Sequence, residues 1–170
     1  LISSDDTQSI VQRTREDGLQ ITKTYSFTDD PDILEIDVVF KNVGEAKWSG
    51  PVWIGSVDVF GGSTGRYSNV ARPAIVADDS LSSLDDIEDV ETSTVSLDGA
   101  VSWFGIQDRY FMAAAIPQTP DWGRGLFAST KKGEGETAAG AFLVKDNLTL
   151  EPGASDPLRL QVYMGSKDLS

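Results

Sequence analysis

The stretch VSWFGIQDRYFMAAAIP, residues 101–117, crowds Trp103, Phe104, Tyr110 and Phe111 around the polar triplet Gln107, Asp108 and Arg109. As a helix it would set Trp103, Ile106 and Tyr110 on one side and Phe104, Gln107, Asp108 and Phe111 on another, so no single apolar stripe emerges. Aromatic residues also favour strands over helices. The stretch therefore reads as a strand, a tight polar turn at Gln107, Asp108 and Arg109, and a second strand through Ala113 to Ile116, ended by Pro117. Charge beside aromatics is then a turn between core strands and not a reaction centre.

Outward from this stretch, alternation with a period of two dominates. In LQITKTYSF (19–27) one face carries Leu19, Ile21, Lys23, Tyr25 and Phe27, and the other Gln20, Thr22, Thr24 and Ser26. TDDPD supplies turn chemistry, and LEIDVVFKN (34–42) then sets Leu34, Ile36, Val38 and Phe40 against Glu35, Asp37 and Lys41. The two segments predict an antiparallel hairpin with one face on a core and one in water. VGEAKWSG reads as a connection, PVWIGSVDVF as a further strand and GGSTG as a turn. No element is placed over residues 66–80. Residues 78–91, DDSLSSLDDIEDVE, carry seven acids and no base, with Leu81, Leu84 and Ile87 at helical spacing, which suits a short amphipathic helix or an acidic loop. GLFAST, TAAGAFLVKD after a KKGEGE turn, and the alternation of Leu158, Leu160, Val162 and Met164 against Arg159, Gln161 and Tyr163 complete the strand pattern, with EPGASDP as the last loop. Many short strands joined by Gly, Pro and Asp turns predict an all-β, mainly antiparallel sandwich with at most short helices, formed as one domain over residues 1–170.

Composition narrows the chemistry. The chain has 170 residues and a formal net charge of −13, a balance that repels phosphate backbones and excludes nucleic acid as a partner. It contains no Cys, which excludes disulfides and thiolate metal sites. It contains no His, which excludes Ser-His-Asp chemistry, His-ligated metals and imidazole acid–base catalysis. No cofactor and no metal are expected. No run approaches the roughly 18 apolar residues of a transmembrane helix. The first residue is Leu and not Met, so the chain is expected to be a fragment of a longer protein.

The remaining candidates each meet a simpler explanation. The acidic run at 78–91 lacks the spacing of a Ca²⁺ loop and suits a solvated face. Asp29, Asp30, Asp32, Glu35 and Asp37 are dense enough for a carboxylate pair, yet Glu35 and Asp37 fall on the solvent face of a strand, where a raised acid pKa is hard to achieve. Among the tryptophans, Trp53 within a strand and Trp103 at the head of an apolar stretch are assigned to the core. Trp48 and Trp122, beside Gly and polar residues, are the candidate ligand-facing aromatics, which keeps a secreted carbohydrate-binding module as the alternative function.

WFGIQDRYFMAAAIP resembles the signature of the large periplasmic domain of YidC-type bacterial membrane protein insertases, carried here by Trp103, Tyr110, Phe111 and Pro117. Earlier in the chain, GLQITKTYSF is similar to that family's Thr-Lys-Thr-Phe strand, and LEIDVVFKNVGE to the strand and Asn-containing turn that follow it. LEPGASDPLRLQVYMGSKDL is similar to its closing Pro-Gly loop, terminal strand and Gly-Pro-Lys segment, through Pro152, Gly153, Gly165 and Lys167. Ser166 stands where the family usually has proline. The resemblance implies a β-supersandwich like that of galactose mutarotase and its relatives, located in the periplasm as part of an inner-membrane protein. It implies a non-catalytic, monomeric module, since insertion belongs to membrane helices and mutarotase chemistry needs a His acid. Its implied partners are Sec translocon accessory subunits or membrane protein clients. It also implies strands before the segment that opens this chain and a helix after the one that closes it.

Overall fold

The structure, a computed structural model, describes residues 3–5, 7–61, 71–84, 93–131 and 136–167. Thirteen antiparallel strands are described, in two sheets. In chain order they are β1 (Ser3–Ser4), β2 (Gln8–Thr14), β3 (Leu19–Phe27), β4 (Ile33–Asn42), β5 (Trp48–Gly61), β6 (Arg72–Ala77) and β7 (Ser80–Ser83). There follow β8 (Ser93–Leu97), β9 (Val101–Gln107), β10 (Phe111–Pro117), β11 (Arg124–Lys131), β12 (Glu136–Leu150) and β13 (Ser155–Ser166). The larger sheet runs β1-β2-β3-β4-β13-β10-β9-β6-β7 and the smaller β5-β12-β11-β8.

The two expected hairpins, one read from alternation and one from aromatic strand preference, are present. Leu19 lies opposite Asn42 and Phe27 opposite Leu34, which fixes the β3–β4 register. Met112 lies opposite Gln107 and Ala115 opposite Phe104 in the β9–β10 pair. Asp108 holds the turn between them, its carboxylate accepting the backbone N–H groups of Tyr110 (2.6 Å) and Phe111 (2.7 Å). Gly105 is required here, because a Cβ at that position would run into the Ala113 carbonyl of the neighbouring strand.

Several elements differ from the sequence reading. RPAIVA forms β6, where Pro73, Ala74 and Ile75 are all buried; burial on both faces removes the alternation that would have marked it. Asp78 and Asp79, with φ of 47° and 61°, form a two-residue turn that joins β6 to β7, so Ser80–Ser83 is strand and not helix. Positive φ at both central residues is the geometry whose twist suits a hairpin, and Asp tolerates it better than most residues. The remainder of the acidic run, 85–92, lies outside the described residues. Finally, β5 begins at Trp48 and β13 at Ser155, inside segments read as connections.

Between the sheets lies one core cluster. The larger sheet contributes Leu19, Val38, Phe40, Ile75, Phe104, Leu158 and Leu160, and the smaller contributes Trp48, Val52, Phe127, Leu143, Leu148 and Leu150. Burying one such side chain contributes about 2 kcal/mol.

Candidate functional site

The densest polar and aromatic constellation lies at the end of the sandwich where β4, β5, β12 and β13 meet. Asn42, fully buried, organises it. Its amide donates to the carbonyls of Ala46 (2.8 Å) and Leu150 (2.9 Å), and its side-chain oxygen accepts the Gly44 N–H (2.9 Å). Its backbone N–H donates to the Ala154 carbonyl and its own carbonyl accepts the Gly153 N–H. Through its side chain and its backbone together, this one residue ties the 43–47 turn to the end of β12 and the Pro152-Gly153 loop. Gly153 sits at a φ of 80°, which favours glycine there.

Trp122, in the connection between β10 and β11, stacks on Phe40 with centroids 5.6 Å apart and planes 22° apart. Its indole N–H donates to Asp156 (2.8 Å), which also accepts from the Lys145 ammonium (3.0 Å). That ammonium lies 5.3 Å from the Trp122 ring centre, a cation–π arrangement. Trp48 is handled alike: its indole N–H donates to Asp17 (3.0 Å), and Asp17 pairs with Arg15 (2.9 Å). The Trp48 hydrogen bond is the chief reason the Asp17 carboxyl is held below the usual carboxylate value, with the Leu19 N–H and the Arg15 charge adding to it against desolvation. An indole N–H inside a core needs an acceptor, and each tryptophan has a carboxylate.

These positions reverse the expected roles of the four tryptophans. Trp48 and Trp122 are 7% and 4% exposed, so neither presents an open ring. Trp53 is 46% exposed, on the outer face of the smaller sheet, tilted against Phe142 at 5.6 Å. Two strands across, beyond Val144, Arg124 grips Asp146 through two nitrogens (2.6 and 2.8 Å) and reaches Ser96 (2.8 Å). Trp103, half-buried, lies on the outer face of the larger sheet opposite Val76. Strand alternation explains the first pair: Trp48, Val52 and Ile54 share a face, whereas Trp53 points the other way. Gly50 leaves room for the Trp48 ring, whose atoms would lie 3.2 Å from an added Cβ.

The other motif residues spread over the larger sheet. Pro117 pairs with Leu160 and borders a cavity of about 130 Å³ with Val101, Thr119, Asp121, Trp122 and Leu143. Gly165 makes room for the Tyr163 hydroxyl, which donates to the Ser166 carbonyl (2.7 Å). The Lys167 ammonium donates to the Asp108 carbonyl (2.6 Å), so the closing segment is fastened to the β9–β10 turn. Tyr110 and Phe111 are exposed. Asp37, one of the carboxylates weighed for catalysis, accepts from Arg159 (2.8 Å). Among the described residues no group of three or more acids is placed to hold a metal ion. No described helix is long and apolar enough to cross a membrane.

Two solved structures share the fold. A galactose mutarotase related enzyme from Lactobacillus acidophilus is 10% identical with a TM-score of 0.60, covering 99% of this chain and 71% of that one. A galactose mutarotase-like protein from Lactobacillus casei is 14% identical with a TM-score of 0.52, covering 95% and 71%. At such identities the likeness concerns the fold, which is the expected supersandwich. In sequence, the membrane protein insertase YidC of Geobacter sulfurreducens is 28% identical over 153 residues, 89% of this chain and 28% of that protein. The chain spans less than a third of the length of the curated relatives it matches. A family model described as the YidC periplasmic domain matches residues 2–170, and this chain therefore belongs to the YidC periplasmic domain family, as an all-β segment on the periplasmic side of an inner-membrane protein.

Proposed function

We propose that this chain is a non-catalytic periplasmic module of a membrane protein insertase and foldase, and that it offers a docking surface to Sec translocon accessory subunits or to membrane protein clients. The match to the YidC periplasmic domain along residues 2–170 carries the reading. Chemistry within the chain supports it: there is no His to serve as the acid that mutarotase-type catalysis requires. The tryptophan–carboxylate pairs are stabilising contacts, since both rings are spent on the core. Deleting the segment from its parent protein and assaying membrane insertion tests the role. Insertion should persist while co-purification of accessory subunits or clients falls. Complete loss of insertion at normal membrane levels of the parent would contradict an accessory role.

A second reading, carbohydrate binding, is favoured by one observation. Trp53 lies half-exposed on a sheet face with Phe142 tilted against it and the Arg124–Asp146 pair on the same sheet. Calorimetric titration with a panel of glycans, repeated on Trp53→Ala, decides it; saturable heat that disappears in the variant would favour the sugar reading.

A further inference from the structure

The inner face of the larger sheet extends beyond what the smaller sheet covers. Directly opposed residues of antiparallel strands share a face. Phe27, opposite Leu34, is thus aligned through Val162 and Ala115 with Phe104 of the core. Met164 and Phe111, paired with Ala113 and Ser166, continue the same face toward the strand ends. Yet Phe104 is 2% exposed, whereas Phe27, Phe111 and Met164 are 63%, 60% and 48% exposed. Phe27 and Phe111 are separated by three strand spacings, roughly 14 Å, and by about 13 Å along the strands. The result is an apolar shelf that could lie under a short extended peptide.

Acidic turns border the shelf. Asp29, Asp30 and Asp32 lie two to five residues after Phe27, in the turn to β4. Asp108 holds the backbone of Phe111 and Tyr110. Asp5 accepts the N–H groups of Thr7 and Gln8, and the Thr7 carbonyl accepts the N–H of Phe27. The cations beside these residues are engaged or set back. Arg109 lies over the Tyr110 ring, Lys167 is bound to the Asp108 carbonyl, and Lys23 sits farther up β3.

We propose that this shelf docks an extended apolar peptide segment flanked by lysine or arginine. Phe27, Phe111 and Met164 take the apolar portion, and the aspartate turns attract and orient the basic flanks. Aromatic anchors supply most of the affinity at such contacts, while complementary charge on the rim supplies selectivity and encounter rate. The inference rests on the docking role proposed above and names the class of partner for it.

The test uses the full 170-residue chain. A fluorescent peptide of alternating leucine and alanine, flanked by paired lysines, is titrated and followed by anisotropy, beside the same peptide flanked by paired glutamates. The lysine-flanked peptide should bind saturably and the glutamate-flanked one at least about tenfold more weakly, with the difference shrinking at high salt. The double variant Phe27→Ser with Phe111→Ser should lose about tenfold in affinity while keeping the thermal midpoint of the parent, because both rings are mostly exposed. Equal binding of the two peptides, or an undiminished affinity in the double variant, would overturn the assignment. So would a concentration-dependent dimer in sedimentation that the double variant abolishes, or recovery of the chain on neutral lipid vesicles that it abolishes, since a second copy or a bilayer would then be the occupant. Failure here, with deletion still reducing co-purification of partners from the parent, would sink this site and leave the docking role standing.

Discussion

The two ends of the larger sheet carry the same alternating pattern and meet different fates. At the Asn42 end, inner-face residues such as Leu19, Val38, Phe40 and Leu158 are fully enclosed, and even the polar atoms of Asn42 are matched. At the Phe27 end, residues on the same face and often the same strand stand in solvent. β3 shows the whole gradient, from buried Leu19 to Phe27 at 63% exposure. The difference lies in the second sheet. The start of β5 and the end of β12 bring Trp48, Leu148 and Leu150 over the first end. Alternation therefore decides which face a side chain occupies, and coverage by a distant element decides whether that face is core.

The sharpest way to break the comparison is to cut into the covered end. Phe40→Ala removes a ring that is 1% exposed and stacked on Trp122. It should cost about 4 kcal/mol, measured as the free energy of urea unfolding. An effect below about 1 kcal/mol would mean that this end is not the stable half of the molecule. Asn42→Ala should follow at about 3 kcal/mol, because it strands two carbonyls and one N–H that now share a single side chain. The conservative Asn42→Asp should be hardly better, since a carboxylate cannot donate to Ala46 and Leu150.

How much of this was legible in the sequence follows the same division. The β3–β4 hairpin was readable because it has one wet face, which prints a period of two, and the β9–β10 hairpin because its aromatics form no helical stripe and favour strands. β6 was not, because strands buried on both faces print a short apolar run with no period. The Asp78-Asp79 turn was hidden inside an acidic run that reads first as charge and only second as backbone geometry. Trp48 was within reach: starting β5 three residues earlier places it in phase with Val52 and Ile54 and puts Trp53 outside. Trp122 was not, because it lies between strands and is buried only by partners far away in sequence, Phe40 and Asp156. The uncovered shelf was equally hidden, because Phe27 and Leu19 look alike until the second sheet is placed.

A pH titration separates the ends by a smaller effect. Asp17 at the covered end and Asp5 and Asp108 at the open end all have carboxyls held below their ordinary value. For Asp17 the Trp48 indole is the leading cause, for Asp5 the Thr7 backbone N–H, and for Asp108 the Phe111 backbone N–H. A depressed folded-state pKa contributes stability that is complete above the unfolded value of about 3.9 and is lost as pH falls through the folded value. Stability should therefore decline as pH falls below about 4. Asp17→Asn should flatten part of that decline, seen as a shallower drop in the urea midpoint. An acid limb unchanged by Asp17→Asn would mean that the Trp48 contact does not distinguish folded from unfolded chain.

The smallest expected effect is the most telling for the open end. Phe27→Ala and Phe111→Ala delete large apolar side chains, and in a covered position each would cost several kcal/mol. Here both rings keep more than half of their surface in water, so little transfer free energy was gained on folding and no enclosed cavity is left behind. Each substitution should shift unfolding free energy by less than about 0.5 kcal/mol in the isolated chain. A cost near that of Phe40→Ala would show that solution contacts cover this face, by self-association or otherwise, and dilution series in the same urea experiment would identify self-association by a midpoint that moves with protein concentration. A cost near zero, with solubility improved by the loss of two exposed rings, marks the surface as one that folding does not require.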